Sequence, residues 1–80
     1  MKSQHAAARD RLLESLIAAR KKSRLTQQAL AKRLHKPQSF ISKYERGQRD
    51  IGVIELVEIA EALDMDAGRT VRDVQKRFRG

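Results

Sequence analysis

The sequence predicts a compact all-α domain of five helices, on three observations. Apolar residues recur three and four positions apart along most of the chain, which is the spacing that lines one face of a helix. No period-two alternation persists and the β-branched residues fall at helical spacings, so strands have no signal. The chain is 80 residues long and 40% hydrophobic, with many of those positions taken by Ala. The larger side chains that remain can fill one small helical core, but not two domains or a deep cleft.

The first helix is marked by Leu12, Leu13, Leu16, Ile17 and Arg20, on a segment rich in Ala and Arg. It begins between Ser3 and Asp10 and ends near Lys21-Lys22, whose cations suit the negative end of the helix dipole. Residues 1–8 lack large apolar side chains and form either a flexible N-terminal segment or a helix extension, leaving 9–80 as the single domain. Thr26 offers its hydroxyl as an N-cap to a second helix, whose short apolar face is Leu30, Ala31 and Leu34. Pro37 disfavours helix at Lys36, so the chain breaks at His35-Lys36 and restarts with Pro37 at the opening of a third helix. Ile41 and Tyr44 mark the inner face of that helix, and Gly47 ends it as a left-handed cap.

After Gln48-Arg49-Asp50, a fourth apolar segment runs from Val53 to Leu63, with Leu56, Ile59, Ala60 and Leu63 on one stripe. Val53, Ile54 and Val57 fall outside the stripe, more apolar surface than a solvated helix needs. The fifth helix follows Asp66, its expected N-cap, and carries Val71, Val74 and Phe78 at i, i+3 and i+7. Gly68 weakens its first turn, and Thr70 with Asp73 offer a capping box that would delay its start.

Charge is distributed unevenly. The formal net charge is +8, yet residues 1–50 hold 13 basic and 4 acidic side chains, 51–68 hold five acids and no base, and 69–80 are basic again. One end of the molecule is therefore positive and another is not, which suits a polyanion bound on one face. Cysteine is absent and the two His, His5 and His35, stand far apart, which excludes disulfide scaffolds, zinc fingers and thiol catalysis. No metal or cofactor is expected. There is no Ser-His-Asp set, carboxylate pair or phosphate loop, so the chain does not read as an enzyme. With no apolar run long enough to span a membrane and no signal-peptide pattern at Met1-Lys2-Ser3, the expected location is the cytoplasm, at the nucleoid.

Two short helices joined by a tight turn, the second with a polar face, have the shape of a helix-turn-helix. Ala31 supplies the small side chain needed where the helices cross. Gln38, Ser39, Ser42 and Lys43 point outward, and all are hydrogen-bonders. Gln bonds adenine bidentately, Ser is permissive, and Lys donates to guanine O6 or N7. Phe40 fits packing better than contact with a thymine methyl. Lys36, Arg46 and Arg49 flank the face as candidate phosphate contacts, together with Ser42.

Thr26-Gln27-Gln28-Ala29-Leu30-Ala31, followed by Lys36-Pro37-Gln38-Ser39-Phe40-Ile41-Ser42-Lys43-Tyr44-Glu45-Arg46-Gly47, resembles the Xre family of phage-repressor and Cro-like helix-turn-helix proteins. The resemblance runs from about Leu13 to Asp66, and Ile-Ser-x-x-Glu-x-Gly at 41–47 is its most specific part. It implies a five-helix, lambda-repressor-like DNA-binding domain with the helix-turn-helix at helices two and three, usually dimeric on a palindromic operator. By position, Gln27 matches a phosphate contact, Gln38, Ser39 and Lys43 match base readers, and Arg20 and Glu45 match an ion pair joining the first helix to the reading helix. Arg20 continues an apolar stripe and Glu45 adjoins the core residue Tyr44, so the pair is expected to be partly buried, and breaking it from one side to cost roughly 3–5 kcal/mol. His35 stands where the family usually has Gly, Lys36 where a small apolar residue would anchor the turn, and Gly52 where Ser or Asp commonly caps the fourth helix.

The expected function is a sequence-specific transcriptional regulator of double-stranded DNA, more a repressor than an activator, acting as a homodimer through Ile54, Val57, Val74 and Phe78. If Val71, Val74 and Phe78 instead close the monomer core, Val71 does so before Phe78. The alternative is an antitoxin that binds a toxin partner and autoregulates its promoter. A nonspecific nucleic-acid or membrane-surface binder is disfavoured, because the organised Gln-Ser-Lys face exceeds what charge attraction requires and the first helix is apolar only on its core stripe.

Overall fold

Helix starts follow the capping chemistry of the sequence. Ser3 Oγ accepts from Ala6 N at 3.1 Å and opens α1 (Gln4–Lys22). Thr26 Oγ1 accepts from Ala29 N at 3.0 Å and opens α2 (Gln27–Leu34), while Pro37 precedes α3 (Gln38–Glu45). Gly52 has no side chain to cap α4 (Val53–Ala62), and Glu55 Oε1 instead reaches back to accept from Gly52 N at 2.9 Å. Asp66 Oδ1 accepts from Arg69 N at 3.2 Å and opens α5 (Ala67–Gln75). The later start at Thr70 with Asp73 does not occur, because the Thr70 hydroxyl donates inward to Asp66 O at 3.2 Å and is buried.

The computed structural model describes residues 3–79. Met1, Lys2 and Gly80, which the expected segments 1–8 and 9–80 include, lie outside the described residues. From Gln4 onward the N-terminal stretch is helical, and Ala8 is buried. A 3-10 turn at Lys76–Phe78 follows α5, so Phe78 does not share one continuous helix with Val71 and Val74. No strand occurs among the described residues.

Leu13 and Leu16 of α1, Leu30 and Ala31 of α2, Phe40, Ile41 and Tyr44 of α3, and Leu56, Ile59 and Leu63 of α4 form one core. The helix α1 packs against α5, the 3-10 turn and α3, while α2 packs on α3 and α4. α5 adds only Thr70 to the buried set; Val71 and Phe78 are each 51% exposed, so Val71 does not enter the core ahead of Phe78. Among the described residues no helix is long and apolar enough to cross a membrane.

Candidate nucleic-acid interface

The inner face of α3 is fully committed to packing. Ile41 and Tyr44 are buried against Leu30 and Ala31, and the Phe40 ring meets Tyr44 edge-on at 5.4 Å and 71°. Phe40 is thus a packing residue. With that face fixed, Gln38, Ser39 and Lys43 are exposed. Ser42 is half-buried, and its hydroxyl donates to Ser39 O at 3.3 Å.

The position of α3 relative to α1 is held by a carboxylate with three donors. Arg20 Nε and Nη2 donate to Glu45 Oε2 and Oε1 at 2.7 and 3.0 Å, and Gln27 Nε2 adds a bond to Oε1 at 2.9 Å. Arg20 Nη1 also donates to Leu25 O at 2.9 Å, tying in the α1–α2 connection. Only 12% and 6% of the Arg20 and Glu45 side chains are exposed. The hydrogen bonds to Glu45 hold the Arg20 guanidinium even more firmly protonated than usual, outweighing its partial burial. Gln27 therefore has one amide hydrogen committed to this cluster and one remaining for another acceptor.

A second charged cluster lies at the start of α3. Lys36, Pro37, Ser39, Phe40, Lys43 and Arg49 line a shallow cleft of about 250 Å³. Lys36 Nζ sits 5.0 Å from the centre of the Phe40 ring, and Arg49 Cζ sits 4.6 Å from it, both within cation–π range. Lys36 N also donates to Ala31 O at 3.0 Å. The expectation that Lys36 leaves the turn less anchored is corrected: its amide closes the end of α2 and its ammonium covers an aromatic face. Arg49 Nη1 and Nη2 donate to Glu55 Oε1 and Oε2, both at 2.8 Å, and Nη1 donates to Asp50 O at 2.9 Å.

The remaining sequence-derived candidates are dispersed. Arg46 borders a different depression, with Arg9, Asp10, Leu13, Glu14 and Ile17. Ile54 and Val57 line a depression with Leu34, His35 and Glu61, whereas Val74 and Phe78 line another against Ala8 and Leu12 of α1. Ile54 is 74% exposed and Val57 44%. Two contributors went unread in the sequence. Arg9 Nη2 donates to Gly47 O and pairs with Asp50 Oδ1 at 3.2 Å, linking α1 to the segment that follows α3. Nothing local announces that contact. Glu55 was signalled by Gly52-x-x-Glu55, the spacing at which an acid three residues into a helix bonds back to the cap.

Comparisons with known proteins agree with this architecture. The profile of a family described as Helix-turn-helix matches residues 16–69. The structure is similar to that of an XRE-family like protein from Pseudomonas syringae pv. tomato str. DC3000, with a TM-score of 0.84 and 35% identity over 90% of this chain and 88% of that one. It is also similar in fold to the clp gene regulator ClgR from C. glutamicum, with a TM-score of 0.74 and 20% identity over 86% of this chain and 90% of that one. No curated protein matches the sequence.

Proposed function

Because this chain belongs to the Xre family of helix-turn-helix DNA-binding regulators, we propose that it is a sequence-specific transcriptional repressor acting as a homodimer on a palindromic operator in the cytoplasm. The observation that carries the reading is the outward face of α3, where Gln38, Ser39 and Lys43 are exposed beside a cleft walled by Lys36 and Arg49. In this reading α3 enters the major groove. Gln38 reads adenine, Lys43 donates to guanine, and Ser39 tolerates either neighbour. Gln27, Lys36, Ser42, Arg46 and Arg49 hold phosphates and set the register. The dimer contact centres on Ile54 and Val57, and Val74 with Phe78, in a separate depression against α1, form a second candidate contact.

Selection of bound sequences from a random duplex pool tests this directly. An inverted repeat should be enriched, and Gln38→Ala and Lys43→Ala should each relax preference at particular base positions, losing about 1–3 kcal/mol on the favoured site. Variants that keep the wild-type sequence profile would show that the reading face lies elsewhere. The exposed Val53, Ile54 and Val57 also suit a protein partner, as the antitoxin reading requires. A chain that is monomeric in solution and selects only single half-sites would favour that second reading.

A further inference from the structure

Arg49 and Arg20 both hold a carboxylate, but with different edges of the guanidinium. Arg20 uses the side edge, Nε with Nη2, and so its paired donors are consumed by Glu45. Arg49 uses the end edge, Nη1 with Nη2, for Glu55, and its second Nη1 hydrogen for Asp50 O. Its side edge, two parallel donors on Nε and Nη2, has no hydrogen bond among the described residues. That edge matches a pair of phosphate oxygens.

Three contacts keep Arg49 in the wall of the cleft. Its Cζ lies over the Phe40 ring, 4.6 Å from the ring centre, Glu55 grips its end, and Asp50 O restrains one corner. Glu55 is itself fixed by accepting from Gly52 N, so the grip is anchored to the first turn of α4. Lys36 on the same ring, with Ser39 and Lys43 beside it, supplies further donors around the cleft.

We propose that Glu55 is a positioning residue for DNA binding, holding the end of Arg49 so that its Nε–Nη2 edge takes a backbone phosphate at the cleft shared with Lys36, Ser39 and Lys43. The inference rests on Arg49 being a phosphate contact, as read above. Its sign is distinctive. Removing an acid near a DNA-binding face should raise affinity by simple charge attraction, whereas loss of a positioning acid lowers it.

Phosphate contacts act on any sequence, so the probe is a mixed-sequence DNA duplex titrated with the full chain at several salt concentrations. Arg49→Ala should weaken binding about tenfold, the loss of a hydrogen bond to a charged group, and flatten the salt slope by roughly one per bound chain. Glu55→Ala combined with Gly52→Ser should do the same, since Ser restores the cap of α4 without restoring the grip. Space for that Ser is available, because a Cβ at Gly52 meets only Glu55 Oε1, at 3.7 Å. Adding Arg49→Ala to this pair should cost nothing more. If the Ala variant does not fold, Glu55→Gln, which keeps an acceptor for Gly52 N, carries the same readouts. Unchanged or tighter binding with an unchanged slope on losing Glu55, while Arg49→Ala still weakens it, would overturn the positioning role and leave the Arg49 contact standing. If Arg49→Ala alters neither affinity nor slope, the phosphate contact itself is refuted and the role of Glu55 with it.

Discussion

Among the described residues, Tyr44 is the one with a buried side-chain polar atom left unserved. Its ring is fully buried and its hydroxyl has no hydrogen-bond partner among the described residues. Burial also pushes the phenol's pKa upward, with the neighbouring Glu45 adding to the effect. A buried hydroxyl without a partner costs stability, so Tyr44→Phe should fold at least as stably as wild type and gain up to about 1 kcal/mol in urea denaturation. A loss above that amount would mean the hydroxyl is bonded in solution. Glu55 gives a pH-dependent counterpart. Hydrogen bonds from Arg49 first, and from Gly52 N second, lower its pKa from the ordinary 4.5 to about 2. An acid depressed by folding adds stability above its unfolded pKa, and that contribution is lost as pH falls toward the folded value. The melting temperature should therefore fall between about pH 4.5 and 2 by more in the wild type than in Glu55→Gln. Parallel curves would show that the pair does not form.

At the scale of elements, the ends of the first four helices share one solution. Arg24, His35, Gly47 and Asp64 all have positive φ, and the next residue donates back across the last turn: Leu25 N to Arg20 O, Lys36 N to Ala31 O, Gln48 N to Lys43 O and Met65 N to Ala60 O, at 2.8–3.2 Å. These are Schellman ends, in which the apolar residue after the left-handed position often packs on the helix. Leu25 and Met65 do so, and at Lys36 the cation over Phe40 takes that place. Gly47 was readable as such an end from its residue type, and His35 from the resemblance, which puts Gly at its position before the break. Arg24 was not, since Arg has no preference for the conformation, and Asp64, a type that tolerates it as His does, has no proline break after it to mark the end. The three non-glycine residues each carry steric strain. His35→Gly, at an exposed side chain, should relieve it and add about 1 kcal/mol, raising the melting temperature by roughly 4–8 °C. A lower melting temperature would indicate that the imidazole makes a stabilising contact.

For the whole molecule, size and symmetry set the question. The domain measures 38 × 24 × 22 Å; on the proposed function it has one base-reading helix, α3, while a palindromic operator asks for two, about 34 Å apart. On the dimer reading, a two-fold axis brings the same patch from both copies together. The depression holding Ile54 and Val57 carries Arg33 beside Glu58 and Glu61, so opposite charges are available on the rim of a self-pairing surface. Ile54→Asp, at a side chain 74% exposed in the monomer, should leave the fold intact, shift the sedimenting species from dimer to monomer, and lower operator affinity by orders of magnitude. A folded Ile54→Asp protein that remains dimeric and binds normally would move the interface, with Val74 and Phe78 the next surface to test.

Short-range chemistry controls the features legible in the residues alone. Thr26 and Asp66 could be seen to start helices because a cap acts over three residues. The break at His35-Lys36-Pro37 follows from the proline ring, and the outward set of Gln38, Ser39 and Lys43 follows once Ile41 and Tyr44 define the inner side of α3. The tertiary structure decided everything that depends on which distant surfaces meet. It joined Arg9 to Gly47, set Thr70 rather than Val71 into the core, and turned Val74 and Phe78 toward α1 while leaving Ile54 and Val57 beside α2. It also chose which edge of each arginine a carboxylate occupies. Side chains such as Arg49 have several satisfactory partners within reach in sequence, and only the fold that brings Phe40, Asp50 O and Glu55 together around it selects among them.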